Sequence, residues 1–425
     1  MDHKLTLKIK RRSQPGWLCW LIIVFPFFFG TANGLLGLPW GIRYLIDGAW
    51  FLLLLTMIAY RRSLPRSHAG SLIAWVLLFL LYTALAWLPR YQSGLYYLWG
   101  VRNNFRFYGA FFAFCIFLSG SDAEDYFRLF DRLFWVNFLV SMVQFAFFGK
   151  KGDNLGGLFG TETGGNGYTN IFFCIILTRA VILYLEKRTS FSTCAGKFAA
   201  AMVVAALAEM KFFFAEAVLI IALAVLLTDF SWRKVWILAG GLAGIFAGAA
   251  LLVEIFPDFA GFFTGRWLWQ NAVSDAGYTS SGDMNRLNAM AVSNELFLKN
   301  GWLRLFGLGL GNCETSSFAF LNTPFFESFG DLHYTWMSYA MLYLECGWVG
   351  LVFYYGFFLL VYFRAGKIAR RGGERQRADC LIACIMAVLC MVIAIYNSSL
   401  RTEGGYMAYF VLAVPFAACK EKDNV

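Results

Sequence analysis

Residues 17–38 read WLCWLIIVFPFFFGTANGLLGL, an uncharged run that is long enough for a transmembrane helix. The run exceeds the core of a signal peptide and ends in no small-residue cleavage site, so we predict an uncleaved first span. Basic residues dominate the segment before it, which predicts an N-terminus in the cytoplasm. Of the 425 residues, 59% are hydrophobic and 15% are charged, a composition typical of a polytopic membrane protein.

Apolar length and breaker residues divide the remaining chain into further spans. The predicted spans are 17–38, 42–60, 70–88, 107–120, 133–149, 170–186, 198–210, 212–229, 235–255, 334–363, 379–397 and 405–419. We therefore expect an all-α polytopic membrane protein with about 12 transmembrane helices and one long extracytoplasmic loop that contains amphipathic helices. The expected domains are an N-terminal transmembrane bundle with spans 1–9 (1–255), the extracytoplasmic loop (256–333) and C-terminal helices with spans 10–12 (334–425).

The distribution of basic residues orients this topology. Most of the 36 Lys and Arg fall in the tail and the short loops that an inside N-terminus places in the cytoplasm. The segment 256–333 is then outside, and the C-terminus is cytoplasmic like the N-terminus. Because the net charge of +10 comes mostly from loops next to membrane ends, it gives no reason to expect nucleic acid as a partner.

Several cations occupy positions where positive charge is scarce. Arg90, Arg102 and Arg106 lie in one outer segment with no acidic residue beside them, which favours an anionic ligand, although solvation also accounts for some of them. Lys211 lies between two short spans, either at the tip of an outer hairpin or as a buried cation. Glu209 and Glu216 are close enough in sequence to pair with it, and a structural ion pair is the alternative to a functional role.

The outer segment contains two amphipathic stretches. One is a predicted helix from about Asp283 to Lys299, with Arg286 in its first turn. The other begins at Arg266 and carries two tryptophans that suit a membrane interface. Contact with lipid headgroups is the alternative role of both arginines. The glycine-rich segment 150–170 either brings backbone N–H groups to an anion or is a flexible connector.

His333 closes the outer segment next to Asp331 and Tyr334. A neutral imidazole at a boundary between water and membrane can accept a proton from a hydroxyl, and a hydrogen-bonded structural role is the alternative. The sequence shows no second histidine or acidic cluster on that side, so we expect no metal site. No Walker sequence occurs either, which argues against nucleotide hydrolysis by that route.

Two stretches of the chain carry a family pattern: RLNAMAVSNELFLKNGWLRLFGLGLGN (286–312) and DLHYTWMSYAMLYLECGWVGLVFYYGFF (331–358). With these stretches the chain resembles the O-antigen polymerase and ligase superfamily. That superfamily has an arginine-initiated helix, a glycine-rich turn, an outer-face histidine and an E-x-G-x-x-G span in the same order. The segment GLFG followed by Asn170, and the element EMKFF, are similar to its more N-terminal landmarks.

The resemblance implies a membrane-embedded, metal-independent glycosyltransferase that needs no cofactor. Its donor would be an undecaprenyl-diphosphate-linked oligosaccharide at the outer face of the bacterial inner membrane, and a chain-length regulator protein is a further implied partner. By position, Lys211 matches a family arginine, Arg286 the arginine of the outer helix and His333 the family histidine. Arg266 can take one of the arginine roles instead, because the spacing permits both.

Two departures from the family pattern bear on the activity. Lysine at 211 offers a point charge without the fork of an arginine. Tyr334 stands where many ligases have asparagine, which favours a polymerase of polysaccharide repeat units over a ligase that transfers glycan to a lipid A core. A flippase or transporter is the third reading, but it would be expected to show inverted repeats and only short loops.

The implied mechanism follows the charge on the leaving group. Arg286, Lys211 and Arg266 would neutralise the departing diphosphate, and His333 would take the proton of the acceptor hydroxyl. Asp331 or Glu345 would fix the tautomer of the histidine, although Glu345 is better placed as a structural acid in the bundle. Tyr334 and Trp336 can stack on sugar rings or anchor the chain at the interface.

Overall fold

The computed structural model describes residues 14–60, 66–257, 260–263, 277–279 and 282–419, and it is about 81% helical. The predicted all-α class is confirmed, since the described residues form no strand. The helices are α1 Gln14–Leu36, α2 Leu45–Ala59, α3 Arg66–Trp87, α4 Gly94–Phe117, α5 Gly120–Phe148, α6 Gly165–Leu185, α7 Phe191–Leu207, α8 Lys211–Leu227, α9 Arg233–Ile255, α10 Ala260–Phe263, α11 Ala289–Leu296, α12 Gly301–Phe306, α13 Pro324–Phe329, α14 Ser338–Ala369, α15 Glu374–Tyr396 and α16 Gly405–Cys419.

The predicted number of spans is wrong, although each of the twelve apolar runs coincides with a helix. Within the described residues, 8 helices are long and apolar enough to cross a membrane: α1, α2 together with the 3-10 turn before it (Gly41–Ala59), α3, α5, α6, α9, α14 and α15. The helices α7, α8 and α16 have at most 17 residues. At 1.5 Å per residue they fall short of a hydrocarbon core of about 30 Å. The fourth predicted span that is not counted, α4, carries Arg102 and Arg106 within its length. The chain is nonetheless a multi-pass membrane protein.

The helix α6 occupies the middle of the bundle. It packs against α7, α8 and α15, and nearly all of its side chains are buried. By contrast, α2 exposes large apolar side chains such as Phe51 and Leu55, as expected of a helix in contact with lipid. The first turn of α6, at Gly165, therefore begins among the surrounding helices rather than at the edge of the molecule.

The predicted helix from Asp283 to Lys299 is shorter than expected. Arg286 lies in a turn, and α11 begins only at Ala289. Residues elsewhere in the fold form hydrogen bonds with backbone groups that would otherwise bond within a longer helix. The Tyr339 hydroxyl donates to the Arg286 carbonyl, and the Met284 N–H donates to the Leu332 carbonyl at 3.0 Å. The turn is thus tied to α14 and to the segment before His333, which places Arg286 and His333 in one local structure.

The glycine-rich turn FGLGLGN (306–312) docks on a break in α14. Gly347 inside α14 has a φ of 60°, so the helix opens there, and the carbonyls of Leu344 and Glu345 accept the N–H groups of Leu308 and Gly309 at 2.7 and 2.8 Å. A Cβ added at Gly307 would lie 2.3 Å from the Glu345 carbonyl carbon. The turn and the span can approach this closely only without side chains at these two positions.

Candidate functional site

Two adjoining cavities lie at the end of the bundle that carries the outer segment. The smaller, which we call the inner pocket, has a volume of about 220 Å³ and is lined by Lys211 and Arg286. The larger, which we call the main cavity, has a volume of about 540 Å³ and reaches Arg43 and Trp336. Arg286 lines both, as do Asp153, Asn166, Gly167 and Asn397. The structure therefore brings two of the predicted cations together at one continuous site.

Arg286 is held in place by the end of α15. Its Nε donates to the Tyr396 carbonyl at 2.8 Å, and its guanidinium lies 4.4 Å from the centre of the Tyr396 ring. The Phe212 ring also stacks on this tyrosine, with ring centres 4.1 Å apart, which fixes the tyrosine ring in turn. The guanidinium is thus oriented by a backbone carbonyl and an aromatic face while it remains at the wall of both cavities.

Lys211 is the first residue of α8, and its Nζ lies 2.9 Å from a carboxylate oxygen of Glu209. Glu209 sits in the tight connection from α7 with a φ of 56°, an unusual conformation for a residue with a side chain. Burial lowers the pKa of Lys211 below its ordinary value, while the Glu209 carboxylate opposes that shift and the nearby Arg286 adds to it. The predicted ion pair with Glu209 is confirmed.

The second predicted partner of Lys211 is elsewhere. Glu216 is buried deeper in the bundle, where its carboxylate oxygens accept from the Asn170 amide at 3.2 Å and the Cys174 thiol at 3.3 Å. Asn170 also lines the inner pocket. Glu216 therefore belongs to a buried polar group beneath the pocket.

His333 forms a pair that the sequence did not indicate. Its Nδ1 lies 2.6 Å from Oδ1 of Asp283, and its ring stacks on Trp336 with centres 4.0 Å apart. Asp283 in turn interacts with Thr279 through its carboxylate and its backbone N–H. The carboxylate favours the tautomer with the proton on Nδ1, which leaves Nε2 as a base. Because its ring stacks on Trp336, which lines the main cavity, the histidine lies next to the cavity wall, a position that we call the rim.

The two acids that the sequence offered as partners of His333 have other positions. Asp331 is exposed, and the carboxylate at hydrogen-bond distance from the imidazole is that of Asp283. Glu345 is buried in α14 and accepts the backbone N–H of Cys313 at 3.0 Å. This agrees with its expected role as a structural acid, because it fastens the glycine-rich turn to the span.

Tyr334 does not face the cavity. Its side chain is fully buried, its hydroxyl donates to the Cys313 carbonyl at 2.8 Å, and its ring packs against Phe325. The tyrosine therefore presents no ring face to a sugar. Trp336, which is half exposed at the cavity wall, does.

Arg102 and Arg106 are neutralised by carboxylates from distant parts of the chain. Arg102 contacts both oxygens of Asp47, at 3.1 and 2.5 Å. Arg106 is almost fully buried, donates to the Arg401 carbonyl at 2.7 Å and lies 3.4 Å from the Glu403 carboxylate. Although burial alone would raise it, the pKa of Glu403 is held below its ordinary value, because Arg106 and the Tyr168 hydroxyl stabilise the charged form. These pairs account for both arginines without an anionic ligand.

Side chains of α5 bind part of the glycine-rich segment 150–170, so this part is neither a flexible connector nor available to bind an anion through those backbone groups. The side chain of Gln144 bonds both the N–H and the carbonyl of Gly157 at 2.9 Å, and Asn137 takes the N–H of Leu158 at 2.8 Å. Asp153, Phe159 and the last part of the segment, from Glu162 into the first turn of α6, line the main cavity. There the N-terminal end of α6 supplies the positive end of a helix dipole to the site.

Arg266 lies outside the described residues, so its predicted role stays a prediction. A comparison of the chain with models of known protein families found no match, and neither did a comparison with curated proteins. The resemblance to the polymerase and ligase superfamily also stays a prediction. What the described residues define is a multi-pass membrane protein with a polar cavity at one end of its bundle, walled by Lys211 and Arg286 and rimmed by a His–Asp pair.

Proposed function

We propose that the protein is a glycosyltransferase that polymerises repeat units of a surface polysaccharide. The donor would be a polyprenyl-diphosphate-linked glycan, and the reaction would take place at the outer face of the bacterial inner membrane. The observation that carries the proposal is the position of Arg286 between two cavities. It shares one with the cation Lys211 and the other with Trp336, on which His333 stacks.

The inner pocket suits the diphosphate of the donor. Lys211 and Arg286 supply two positive charges there, and burial reduces competition from water. The carboxylates of Asp153 and Glu209 line the same pocket, and Glu209 pairs with Lys211. When the bond between the anomeric carbon and the diphosphate oxygen breaks, negative charge builds up on that oxygen. Fixed cations in a low-dielectric site stabilise such charge more than water does. Arg286 would serve as the main ligand because its orientation is fixed by Tyr396.

The rim of the main cavity suits the acceptor. The acceptor hydroxyl oxygen would bond to the anomeric carbon while its proton passes to Nε2 of His333. Asp283 would stabilise the resulting imidazolium through Nδ1–H, and Trp336 would offer an aromatic face to the acceptor sugar. The polyprenyl diphosphate then leaves with its negative charge still balanced by the cations of the inner pocket.

The test is a strain in which the chromosomal gene is replaced by variants. We expect His333→Ala and Arg286→Ala to yield glycans of one repeat unit where the wild type yields long chains. Thr335→Ala is the matched control beside His333, since threonine has no group that can act as the proposed base. Long chains in both active-site variants, with normal protein levels, would refute the proposed mechanism.

The same experiment separates the alternatives. A ligase would leave long lipid-linked polymer accumulated in the variants while transfer to the final acceptor is lost. A flippase would leave repeat units on the cytoplasmic face, where they resist an enzyme added to intact spheroplasts. In vitro extension of a purified lipid-linked repeat unit by the purified protein would exclude the flippase directly.

A further inference from the structure

A third cavity lies on the same end of the bundle and takes no part in the site described above. It has a volume of about 500 Å³, within the range of about 300–1,000 Å³ common for small-ligand sites. Three leucines contribute to its wall, and its remaining lining residues are Arg90, Tyr91, Gln92, Phe297, Asn312 and Phe325. We call it the Arg90 pocket. Arg90, the first arginine of the segment that also carries Arg102 and Arg106, meets the glycine-rich turn here. The proposed function uses neither feature.

Arg90 differs from the other arginines of its cluster. Arg102 and Arg106 pair with carboxylates, whereas in the described part of the chain no carboxylate forms an ion pair with Arg90. Its Nη1 donates to the Ala86 carbonyl at 2.9 Å, which fixes the direction of the side chain. The described lining residues of the pocket include no acid. The pocket therefore carries a net positive charge that an anionic group can balance.

Asn312, the last residue of the glycine-rich turn, supplies an amide at the wall. Its Nδ2 donates to the Arg90 carbonyl at 3.0 Å and to the Leu308 carbonyl at 2.8 Å, so the amide orientation is fixed. Its Oδ1 is buried, and no described residue donates to it. A carbonyl oxygen without a donor is costly to bury, and a sugar hydroxyl is a suitable donor.

Aromatic rings complete the pocket. Phe297 and Phe325 pack edge to face with centres 4.9 Å apart, and Tyr91 is largely exposed at the opening. Phe325 also contacts Tyr334, the neighbour of His333 in sequence. Aromatic faces beside a fixed amide and one cation are what a sugar ring with an acidic substituent requires.

We propose that the Arg90 pocket binds a carboxylate-bearing sugar residue of the glycan, as a holding site separate from the main cavity. The inference rests on the proposed function, because it assigns to the pocket the polysaccharide that the main cavity would extend. A chain held here is kept at high local concentration near the rim of the main cavity, so successive additions to one chain become favoured over release. A lipid phosphate could also meet Arg90, but it would leave the amide and the aromatic wall unused.

The test measures binding and chain length separately. The probe is a set of repeat-unit oligomers released by mild acid from the surface polysaccharide of the cell that carries the gene. The matched probe is the same oligomers with their carboxylates reduced to alcohols. We expect wild-type protein in nanodiscs to bind the native oligomers, and Arg90→Gln to bind them about tenfold to a hundredfold more weakly, the loss expected for one charged hydrogen-bonding partner. Arg304→Gln, which alters an arginine of α12 outside the pocket, should bind as the wild type does.

His333→Ala protein should still bind the native oligomers, so the pocket is tested even where catalysis fails. In cells, Arg90→Gln should shift the polymer to shorter chains while His333→Ala gives single units. The proposal is overturned if native and reduced oligomers bind equally, if the polysaccharide contains no acidic sugar, or if Arg90→Gln and Arg304→Gln behave alike. It is also overturned if anionic lipid in the nanodisc displaces the oligomers, which would assign Arg90 to a headgroup.

Discussion

The inner pocket and the Arg102–Arg106 cluster are both rich in arginine or lysine, yet their surroundings differ. In the cluster, Asp47 and Glu403 place carboxylates directly against the guanidinium groups. In the inner pocket, the orientation of Arg286 comes from a backbone carbonyl and an aromatic ring. The first arrangement holds helices together, and the second keeps a cation directed into a cavity. For these three arginines the paired groups separate the roles, whereas Lys211 of the inner pocket is itself paired with Glu209.

The largest effect on stability is expected at the cluster. Arg106→Met leaves Glu403 buried without its partner, and the free energy of unfolding should fall by about 3–5 kcal/mol. Arg286→Met leaves no buried carboxylate behind and should lose only about 1 kcal/mol. Chemical unfolding in detergent micelles, followed by tryptophan fluorescence, measures both. Equal losses in the two variants would remove the distinction between the regions.

The same cluster predicts a pH dependence. Because the pKa of Glu403 is lowered in the folded protein, its charge stabilises the fold above the ordinary value of 4.5. That contribution is lost as the pH falls from 4.5 through the lower pKa of the folded state. Glu403→Gln should remove this part of the acid sensitivity, whereas Glu162→Gln, a change at the cavity wall, should leave it in place.

The next largest effect is on transfer. Arg286→Met should lower the rate of glycan addition about 10²–10³-fold, the loss typical for one preorganised group that stabilises charge in a transition state. Arg286→Lys should restore part of the rate, because the charge remains while the planar fork is lost. Extension of a lipid-linked repeat unit by purified protein is the measurement. Equal rates for Arg286→Met and Arg106→Lys would contradict the separation of roles.

Asp283→Asn should have a smaller effect, about tenfold to a hundredfold on the rate, since it acts through His333. The asparagine no longer stabilises the imidazolium, so the pH–rate profile should change shape along with its height. Asp331→Asn is the control, since Asp331 is exposed and Asp283 provides the hydrogen-bonding carboxylate. An unchanged pH profile in Asp283→Asn would show that the aspartate has only a structural role.

The smallest effect is expected for Lys211→Arg. Arginine keeps a cation at this position, so the rate near neutral pH should change little. Because burial lowers the pKa of Lys211, the wild type loses this positive charge at a lower pH than a free lysine would, and transfer should fall there. The arginine keeps its charge, so activity should persist further into the alkaline range. Profiles that fall together would show that another group sets the alkaline limit.

The sequence predicted the helices better than the crossings. Apolar runs indicate where helices form, and all twelve coincide with helices. Whether a run crosses the membrane depends on its length and its charge: α7, α8 and α16 are too short, and α4 carries Arg102 and Arg106. The boundary of α11 was missed because tertiary contacts of the Arg286 turn replace the hydrogen bonds of a longer helix.

The candidate site was predictable where partners are close in sequence. Lys211 and Glu209 are two residues apart, and their pairing was expected. Asp283 and His333 are 50 residues apart, and no sequence pattern links them. Arg106 and Glu403 are separated by 297 residues, so an arginine that seemed free of acids was in fact paired. Such pairs follow from the packing of helices, which composition and spacing do not fix.

The meeting of Gly307 and Gly347 has a consequence for how this chain can vary. A Cβ at Gly347 would lie 2.4 Å from the Leu305 carbonyl carbon, just as one at Gly307 would meet Glu345. A change at either glycine alone therefore forces two main chains apart, and a second change cannot relieve the clash unless the backbones also separate. Among descendants of this gene, we expect these two positions, forty residues apart, to be kept together or to be lost together with the turn.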